Sequence, residues 1–164
     1  MKLRRLEEKD ATAMLEWMHD EDVIEYMQND FMSKTLEDCK AFINDSYGKH
    51  NIHLAIVNDF DEYMGTVSLK NIHNNMAEFA ITIRRCAMGK GVSKFGMSKI
   101  VEIGIKKLHL KMIYWCVSPE NKRAVKFYDK NGYDRIEPYN IYDIKKYYTS
   151  EQIEHYLWYE VKAE

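Results

Sequence analysis

The chain has 164 residues, of which 46% are hydrophobic and 30% charged, which suits one domain with a single core and a polar surface. No apolar stretch approaches the ~18 residues of a membrane span, and the N-terminal MKLRRLEEKDATAMLEW carries acids and lacks the apolar core of a secretory signal. Cys39, Cys86 and Cys116 have no metal-like spacing and fit a reducing cytoplasm. We therefore expect one cytoplasmic domain, residues 1–164, with neither a membrane partner nor a metal site.

The net charge of −2 conceals an uneven distribution of charged residues. Residues 1–62 carry 15 acidic and 7 basic side chains, whereas residues 63–164 carry 11 acidic and 17 basic ones. This asymmetry favours a cationic ligand beside the first part and a polyanion beside the second, although charges that only cover solvated faces would give the same totals. The basic part has no long run of Lys or Arg, so we expect no nucleic-acid partner.

The first third of the chain is predicted to form a strand followed by helices. KLRRL alternates as a short strand at Lys2–Leu6, and Asp10 is placed to cap a helix that runs from Ala11 to about His19, with a second helical piece in DVIEYMQ. Thr35 and Asp38 have the spacing of a capping box at the start of another helix. The apolar face of that helix is predicted to contain Leu36, Cys39, Phe42 and Ile43.

Three strands are predicted next, in NIHLAIVN, EYMGTVSLKNI and MAEFAITIRR, with polar turns near Asn58–Asp61 and at HNN. In the third strand, apolar residues at positions 77, 79, 81 and 83 alternate with Glu78, Ala80 and Thr82. Since successive side chains of a strand point to opposite faces, the two sets are expected on opposite faces of a sheet.

The second half of the chain alternates helices with strands. VSKFGMSKIVEIGIKKL repeats apolar residues at helical spacing, KMIYWCVS is typical of a strand buried on both faces, and NKRAVKFYDK is a helix that Gly132 ends. YDRIE and HYLWYEVK are predicted as closing strands, with a short helical insert in YYTSEQIEHY between them. This order indicates an α/β fold with a mixed sheet.

The segment RRCAMGKGVSK joins a predicted strand to a helix through two glycines. It fails the Walker pattern because Arg84 stands where the first glycine belongs and Gly91 where Ser or Thr belongs, and it fails the dinucleotide pattern because Lys94 replaces the third glycine. What remains is a helix N-terminus whose backbone N–H groups and dipole suit an anion, with Lys90 and Lys94 adding charge. The loop by itself predicts a diphosphate site bound by backbone atoms.

A second motif, one strand downstream, indicates which diphosphate this is. Asn121, Ala124, Tyr128, Gly132 and Tyr133 have the spacing N-x-x-A-x-x-x-Y-x-x-x-G-[FY]. Together with MGKGVS, this motif resembles the GCN5-related N-acetyltransferase (GNAT) superfamily. AEFAITI followed by MGKGVSK resembles the ribosomal-protein alanine acetyltransferases and spermidine acetyltransferases within it. The similarity spans most of the chain and is most specific from AEFAITI to the closing Gly-Tyr.

The resemblance implies the GNAT fold, a largely antiparallel twisted sheet flanked by helices and splayed where coenzyme A binds, with acetyl-CoA as the acetyl donor. It implies that the backbone of Ile81, Thr82 and Ile83 pairs with the pantetheine arm and polarises the thioester carbonyl. Asn121, Ala124 and Phe127 would form the opposite wall. The pyrophosphate loop would consist of Met88, Gly89, Lys90, Gly91, Val92, Ser93 and Lys94. Two of these depart from the superfamily pattern, because Met88 replaces Gln or Arg and Ser93 replaces Gly or Ala.

Two side chains match functional positions of the superfamily. The resemblance implies that Tyr128 protonates the leaving thiolate, and a phenol with a pKa of ~10 is matched to a thiol near ~8.5. Glu78, on the strand face opposite the apolar set, is the candidate for binding the acceptor ammonium or passing on its proton. Neither Cys86 nor Cys116 has the sequence context of a nucleophile, so we expect direct attack by the amine in a ternary complex.

The acidic first part of the chain favours a small cationic amine as the acceptor. Its pocket is expected around Trp17–Gln28, the NDFMSKT loop and Trp115, and EWMHDEDVIEYM also resembles enzymes that acetylate amino groups of nucleotide-linked sugars. A polyamine, an amino sugar and a peptide N-terminus all stay open as acceptors, and a catalytically silent acyl-CoA-binding module is the alternative to an enzyme. Because dimers are frequent in the superfamily, a homodimer is a further expectation.

Overall fold

The computed structural model describes residues 1–164, which form one sheet of seven strands with helices on both faces. The strands lie in the order β1-β2-β3-β4-β5-β7-β6, and all neighbouring pairs are antiparallel except β4 and β5, which run parallel. Their bounds are β1 Lys2–Arg5, β2 Ile52–Val57, β3 Tyr63–His73, β4 Met76–Ile83, β5 Met112–Val117, β6 Asp134–Arg135 and β7 Leu157–Lys162.

Seven α-helices connect these strands, and a π-helical turn, Ile103–Lys107, extends the fourth. None of the helices combines the length with the apolar character that crossing a bilayer requires. The helix bounds are α1 Ala11–Met18, α2 Glu21–Ile24, α3 Leu36–Asn44, α4 Val92–Glu102, α5 Lys122–Lys130, α6 Ile144–Tyr147 and α7 Ser150–His155.

The main apolar core lies between the sheet and helices α4 and α5. Val67, Phe79 and Ile113 of the central strands pack there with Met97 of α4 and Tyr128 of α5. All five residues are buried. The odd-numbered residues of β4 face this core, as the alternation in the sequence predicted.

Two further cores cover the opposite face of the sheet. Helices α1 and α3 pack over β2 around Trp17, Cys39 and Ala55, whereas α6 and α7 pack over β5 and β7 around Ile153 and Trp158. Between these cores lies a strip of polar and small side chains that belongs to neither. We call it the inter-core strip; it contains Thr66, Ser68 and Lys70 of β3 and Glu78, Ala80 and Thr82 of β4.

Most predicted elements are confirmed, and most residues predicted to start or end helices do so. Gly132 has a φ of +76° just past the end of α5, where a left-handed residue ends a helix. Thr35 and Asp38 form the predicted capping box of α3. The helix predicted to continue to Leu108 instead changes to a π-helical turn at Ile103.

The apolar face of α3 is only partly buried, since Cys39 and Ile43 belong to the core whereas Leu36 and Phe42 are exposed, although the ring centroid of Phe42 lies 4.6 Å from that of His53 in β2. One local prediction is wrong. The side chain of Asp10 does not cap α1.

The carboxylate of Asp10 instead binds two groups that precede α1 in the chain. Arg4 donates to it at 2.7 and 2.9 Å, and the backbone N–H of Glu7 donates to it at 2.8 Å. Because Asp10 is only 2% exposed, the paired arginine compensates for the buried charge. Asp10 therefore joins β1 to the turn before α1.

Candidate active site

The sheet opens between β4 and β5, at the point that the resemblance implies. The two parallel strands pair only at Met76–Glu78 with Met112–Tyr114. Beyond that point β4 continues to Ile83 while paired with β3 alone, and β5 continues to Val117 while paired with β7 alone. The facing edges of the two strands therefore diverge and leave a gap with unpaired backbone groups.

The hydrogen-bond ladder decides which backbone groups of β4 face this gap. Arg84 donates its N–H to the carbonyl of Met64 in β3 at 3.0 Å. Hydrogen-bonded positions alternate along an antiparallel pair, so Thr82 also directs its backbone groups toward β3. Ile81 and Ile83 consequently direct their N–H and C=O groups into the gap. Of the three residues predicted to pair with the pantetheine arm, Ile81 and Ile83 therefore have free backbone groups. The side chain of Thr82 lies on the opposite face of the sheet, in the inter-core strip.

The loop before α4 presents a row of unpaired backbone N–H groups. Gly89 and Gly91 have φ values of +77° and +76°, which only glycine adopts without strain, and Gly91 is the N-cap of α4. No backbone N–H of residues 89–94 donates to an acceptor in the chain. By contrast, Thr35 and Thr149 cap α3 and α7 with their side chains. The predicted loop therefore has free N–H donors at a helix N-terminus, as an anion site would need.

Unpaired cations surround this row of N–H groups. Every one of them is exposed, and none forms a salt bridge. They are Lys90 of the loop, Lys94 of the first turn of α4, and Lys122, Arg123 and Lys126 of α5. Part of the basic excess of residues 63–164 therefore lies on the glycine loop and on α5, which would suit a polyanion.

Helix α5 forms the opposite wall of the groove. Asn121 is its N-cap, and its side-chain oxygen accepts the N–H of Ala124 at 3.2 Å. Ala124 and Phe127 are half-buried and pack against the same core as Met88. The two walls contact each other through Arg123 of α5, whose Nη1 donates to the sulfur of Met88 at 3.2 Å. The fold therefore brings the two sequence motifs together.

Tyr128 lies in a cluster of aromatic rings on the α5 side of the sheet. Its ring centroid is 5.2 Å from those of both Trp115 and Tyr159. The residue is only 8% exposed, and its hydroxyl donates to no acceptor in the chain. The hydroxyl oxygen itself is not fully enclosed by the protein. Burial raises the pKa of Tyr128 well above its ordinary value. The hydroxyl is thus a protonated donor without an internal partner.

Glu78 lies on the other face of the sheet, in the inter-core strip. It is 4% exposed, and three side chains of the chain contact its carboxylate. Tyr148 donates its hydroxyl to Oε1, Asn71 donates to Oε2 at 3.2 Å, and the ammonium of Lys70 lies 3.6 Å from Oε1. A substrate ammonium would therefore have to replace Lys70, which forms the longest of these contacts.

Sequence reasoning missed Tyr148 and Lys70 as partners of Glu78. Lys70 could have been found, because it is the cross-strand neighbour of Glu78 in the hairpin of β3 and β4. Tyr148 lies 70 residues along the chain, and no local pattern connects it with Glu78. Burial raises the pKa of Tyr148, so this hydroxyl stays a donor to the carboxylate.

Cys116 lies beside Tyr148 on the same face. Burial raises the pKa of its thiol to about 12, and the thiolate is the nucleophilic form of cysteine. Cys116 is therefore a thiol near neutral pH, which agrees with the expectation that it has no nucleophilic role.

Two tryptophans expected near the acceptor pocket are core residues. Trp17 is 5% exposed and donates its Nε1 to the hydroxyl of Tyr63 at 3.0 Å. Trp115 is 2% exposed, faces α5 rather than the inter-core strip, and stacks on Tyr159 with 5.7 Å between the ring centroids. The odd-numbered residues of β5 face the main core. Trp115 therefore lies on the face opposite the one where the acceptor pocket was predicted.

Much of the acidic excess of residues 1–62 is neutralised within the fold. Arg84 donates to both carboxylate oxygens of Glu16 at 3.1 and 2.8 Å. Arg85 donates to Asp20 at 2.7 Å and to Asp22 at 2.6 Å. These pairs hold α1 and α2 against the end of β4, so the corresponding carboxylates are not free to bind a cationic ligand.

Glu120, in the turn before α5, lies beside helix α7. His155 of α7 is 3.3 Å from Glu120. Gln152 of α7 donates to Gln28 at 3.5 Å. The segment after α2 and the turn before α5 therefore both contact α7.

An open cleft of about 490 Å³ lies elsewhere, beside α1 and the turn between β2 and β3. Its charged residues are mostly paired with each other or with neighbours: Lys9 with Asp61 at 2.5 Å, and Asp10 with Arg4. Its lining carries three acidic and three basic side chains and so offers little net charge to a ligand, and it meets the glycine loop only at Lys90.

Comparison with protein families agrees with this geometry. The family described as "Acetyltransferase (GNAT) domain" matches residues 1–134, which include the gap, the glycine loop and α5. The chain is also 28% identical over 139 residues to an uncharacterized N-acetyltransferase, p20, of Bacillus licheniformis, and the match covers 81% of this chain and 78% of that protein.

Solved structures share the fold over nearly the whole chain. A spermidine N-acetyltransferase from Vibrio cholerae, crystallised with CoA and spermine, is similar with a TM-score of 0.78 and 18% identity, covering 98% of this chain and 94% of that one. A GNAT-family acetyltransferase from Bacillus anthracis is similar with a TM-score of 0.75 and 21% identity, covering 98% and 93%. At these identities, the likeness shows the fold.

Proposed function

Because the chain belongs to the acetyltransferase (GNAT) family and is an acyltransferase by that membership, we propose that it transfers the acetyl group of acetyl-CoA to a primary amine. The acceptor we propose is a small cationic molecule, a polyamine or an amino sugar. The observation that carries the proposal is the row of unpaired N–H groups at residues 89–94, which leads into the gap between β4 and β5 with Tyr128 on one face and Glu78 on the other.

The cosubstrate would lie in the groove between α4 and α5. The loop from Met88 to Lys94 would bind the pyrophosphate through its backbone N–H groups, and the surrounding lysines would balance its charge. The amides of the pantetheine arm would pair with the free backbone groups of Ile81 and Ile83, as a strand does at an unpaired sheet edge. One N–H of this strand would also stabilise the oxyanion that forms on the thioester carbonyl.

The reaction would proceed by direct attack. The amine nitrogen bonds to the carbonyl carbon, the C–S bond breaks, and the leaving thiolate takes a proton from the hydroxyl of Tyr128. The ammonium loses one proton to Glu78 or to water before the attack, and the second proton lost from the nitrogen after the attack restores the hydroxyl of Tyr128 through water. The pKa of Cys116, raised to about 12, argues against an acyl-enzyme on that residue.

The acceptor would enter from the inter-core strip, on the face opposite the cosubstrate. Glu78 lies there at the apex of the gap, and Glu25 and Glu120, which lies beside His155 of α7, would form the outer carboxylates. A second cationic group of the acceptor would interact with the outer carboxylates while the reacting amine replaces Lys70 near Glu78. The arrangement favours a cation over an anion. The spermine in the Vibrio cholerae structure supports the same class of acceptor.

The test is thiol release from acetyl-CoA over a panel of spermidine, spermine, amino sugars and short peptides with free N-termini. We expect turnover with a polyamine or an amino sugar. For that acceptor, Glu78→Gln should raise the KM and leave CoA affinity unchanged. Turnover with peptides alone would replace the proposed acceptor by a protein N-terminus. Acetyl-CoA binding without turnover for any amine would leave a silent acyl-CoA-binding module.

A further inference from the structure

Arg123 differs from the other arginines of the chain in what it binds. Four of them bind carboxylates: Arg4, Arg84, Arg85 and Arg135. Arg5 lies over the ring of Tyr47, with 3.9 Å between its Cζ and the ring centroid. Arg123 is exposed, and its side chain donates only to the thioether of Met88, at 3.2 Å. A thioether is a weak acceptor, so most of the hydrogen-bonding capacity of this guanidinium is unused.

The position of this guanidinium matters because residue 88 begins the glycine loop, residues 88–94, which is proposed to bind the pyrophosphate. The row of unpaired N–H groups starts at the next residue, Gly89. At position 88 the superfamily pattern has Gln or Arg, and Met88 offers neither charge nor a strong donor. Arg123 reaches the same point from the first turn of α5, on the other wall of the groove.

We propose that Arg123 is the charged side-chain ligand of the CoA pyrophosphate in this chain, taking the place of the residue that Met88 lacks. This inference rests on the proposed use of acetyl-CoA. A guanidinium binds phosphate oxygens in a bidentate manner and adds to the backbone N–H groups. An arginine at position 88 would lie against Arg123 with like charge, whereas the methionine packs against it. Positions 88 and 123 thus form one unit in which the charge has moved from the loop to α5.

The test measures CoA binding by calorimetry for the wild type, Arg123→Gln and a matched control, Lys130→Gln. Lys130 is an exposed cation without a salt bridge in the last turn of the same helix, so its loss changes net charge equally. We expect Arg123→Gln to weaken binding by about 10-fold or more, because it removes a charge-assisted hydrogen bond. Lys130→Gln should change binding by less than about 3-fold.

Two further measurements identify the group that Arg123 binds. The defect of Arg123→Gln should be equally large with dephospho-CoA, which keeps the pyrophosphate, and absent with pantetheine, which lacks it. The double variant Met88→Arg with Arg123→Gln should regain most of the lost affinity. A defect that disappears with dephospho-CoA would assign Arg123 to the 3′-phosphate, and equal defects in both single variants would indicate only a diffuse field; each result overturns the proposal. A wild-type chain that binds no CoA would instead refute the proposed function.

Discussion

The unpaired hydroxyl of Tyr128 separates catalysis from stability in a way that one substitution can test. In Tyr128→Phe the ring, which packs against Trp115, is kept and only the hydroxyl is lost. Because this hydroxyl donates to no acceptor in the chain, the free energy of unfolding should change by less than about 0.5 kcal/mol. Loss of a general acid costs about 10²- to 10⁴-fold in rate, which corresponds to about 3–5 kcal/mol in the activation barrier.

Tyr159→Phe is the matched control, because Tyr159 is a neighbouring tyrosine of the same aromatic cluster. Its hydroxyl donates to Asp129 at 2.9 Å, and the ring centroid lies 5.2 Å from that of Tyr128. Removing a hydrogen bond to a charged acceptor costs about 1.5–3 kcal/mol, and the cost should lie at the lower end because Arg135 still binds Asp129. This variant should therefore lose stability and keep its kcat.

The assay combines urea unfolding, followed by tryptophan fluorescence, with kcat from thiol release at saturating acetyl-CoA and amine. CoA affinity, measured by calorimetry, should be unchanged in Tyr128→Phe. An unchanged kcat would remove Tyr128 from the mechanism. A large loss of stability in Tyr128→Phe would show that its hydroxyl has an internal partner and would refute the structural reasoning.

Two other predictions concern the sheet that supports the site. The imidazole of His53 shares a 2.6 Å hydrogen bond with Ser68, and burial lowers its pKa to about 4. Because the unfolded chain binds a proton at this residue at higher pH than the folded chain does, the free energy of unfolding should fall by up to about 3 kcal/mol from pH 6.5 to pH 4. His53→Gln should flatten that part of the pH profile in urea unfolding, and an unchanged slope would assign it to other groups. At Gly65 a Cβ would lie 2.4 Å from the carbonyl oxygen of Thr82, so Gly65→Ala should cost about 1–3 kcal/mol and weaken CoA binding by moving the edge of β4. Gly48→Ala, whose nearest contact would be at 3.9 Å, is the control, and equal losses in the two variants would contradict a specific clash.

The glycine loop and Tyr128 illustrate what could be predicted from local sequence. Gly89 and Gly91 permit the positive φ values that expose a row of N–H groups, and this conformational preference belongs to the residues themselves. The N-x-x-A-x-x-x-Y spacing places Asn121 at the start of a helix and Tyr128 two turns later. The resemblance then supplied the chemical roles, which no periodicity contains.

Glu78 shows where the same reasoning is incomplete. Alternation along β4 placed its side chain opposite Phe79, which the structure confirms. It did not show that Lys70, Asn71 and Tyr148 occupy the carboxylate, because the tyrosine comes from a helical insert far along the chain. Trp115 is a related case, since a continuous apolar strand gives no sign of which residue faces which core.

The sequence by itself determined most of the elements, the positive φ values of the glycine loop and the face of each residue in β4, because backbone conformation and side-chain alternation depend on neighbours along the chain. Only the tertiary structure decided which edge of β4 is free, because hydrogen-bond direction depends on the partner strand and on where β5 diverges. It also decided that Arg123 meets Met88 across the groove, 35 residues apart in the chain. Contacts of that kind depend on how α4 and α5 pack on one sheet, and no short pattern records them.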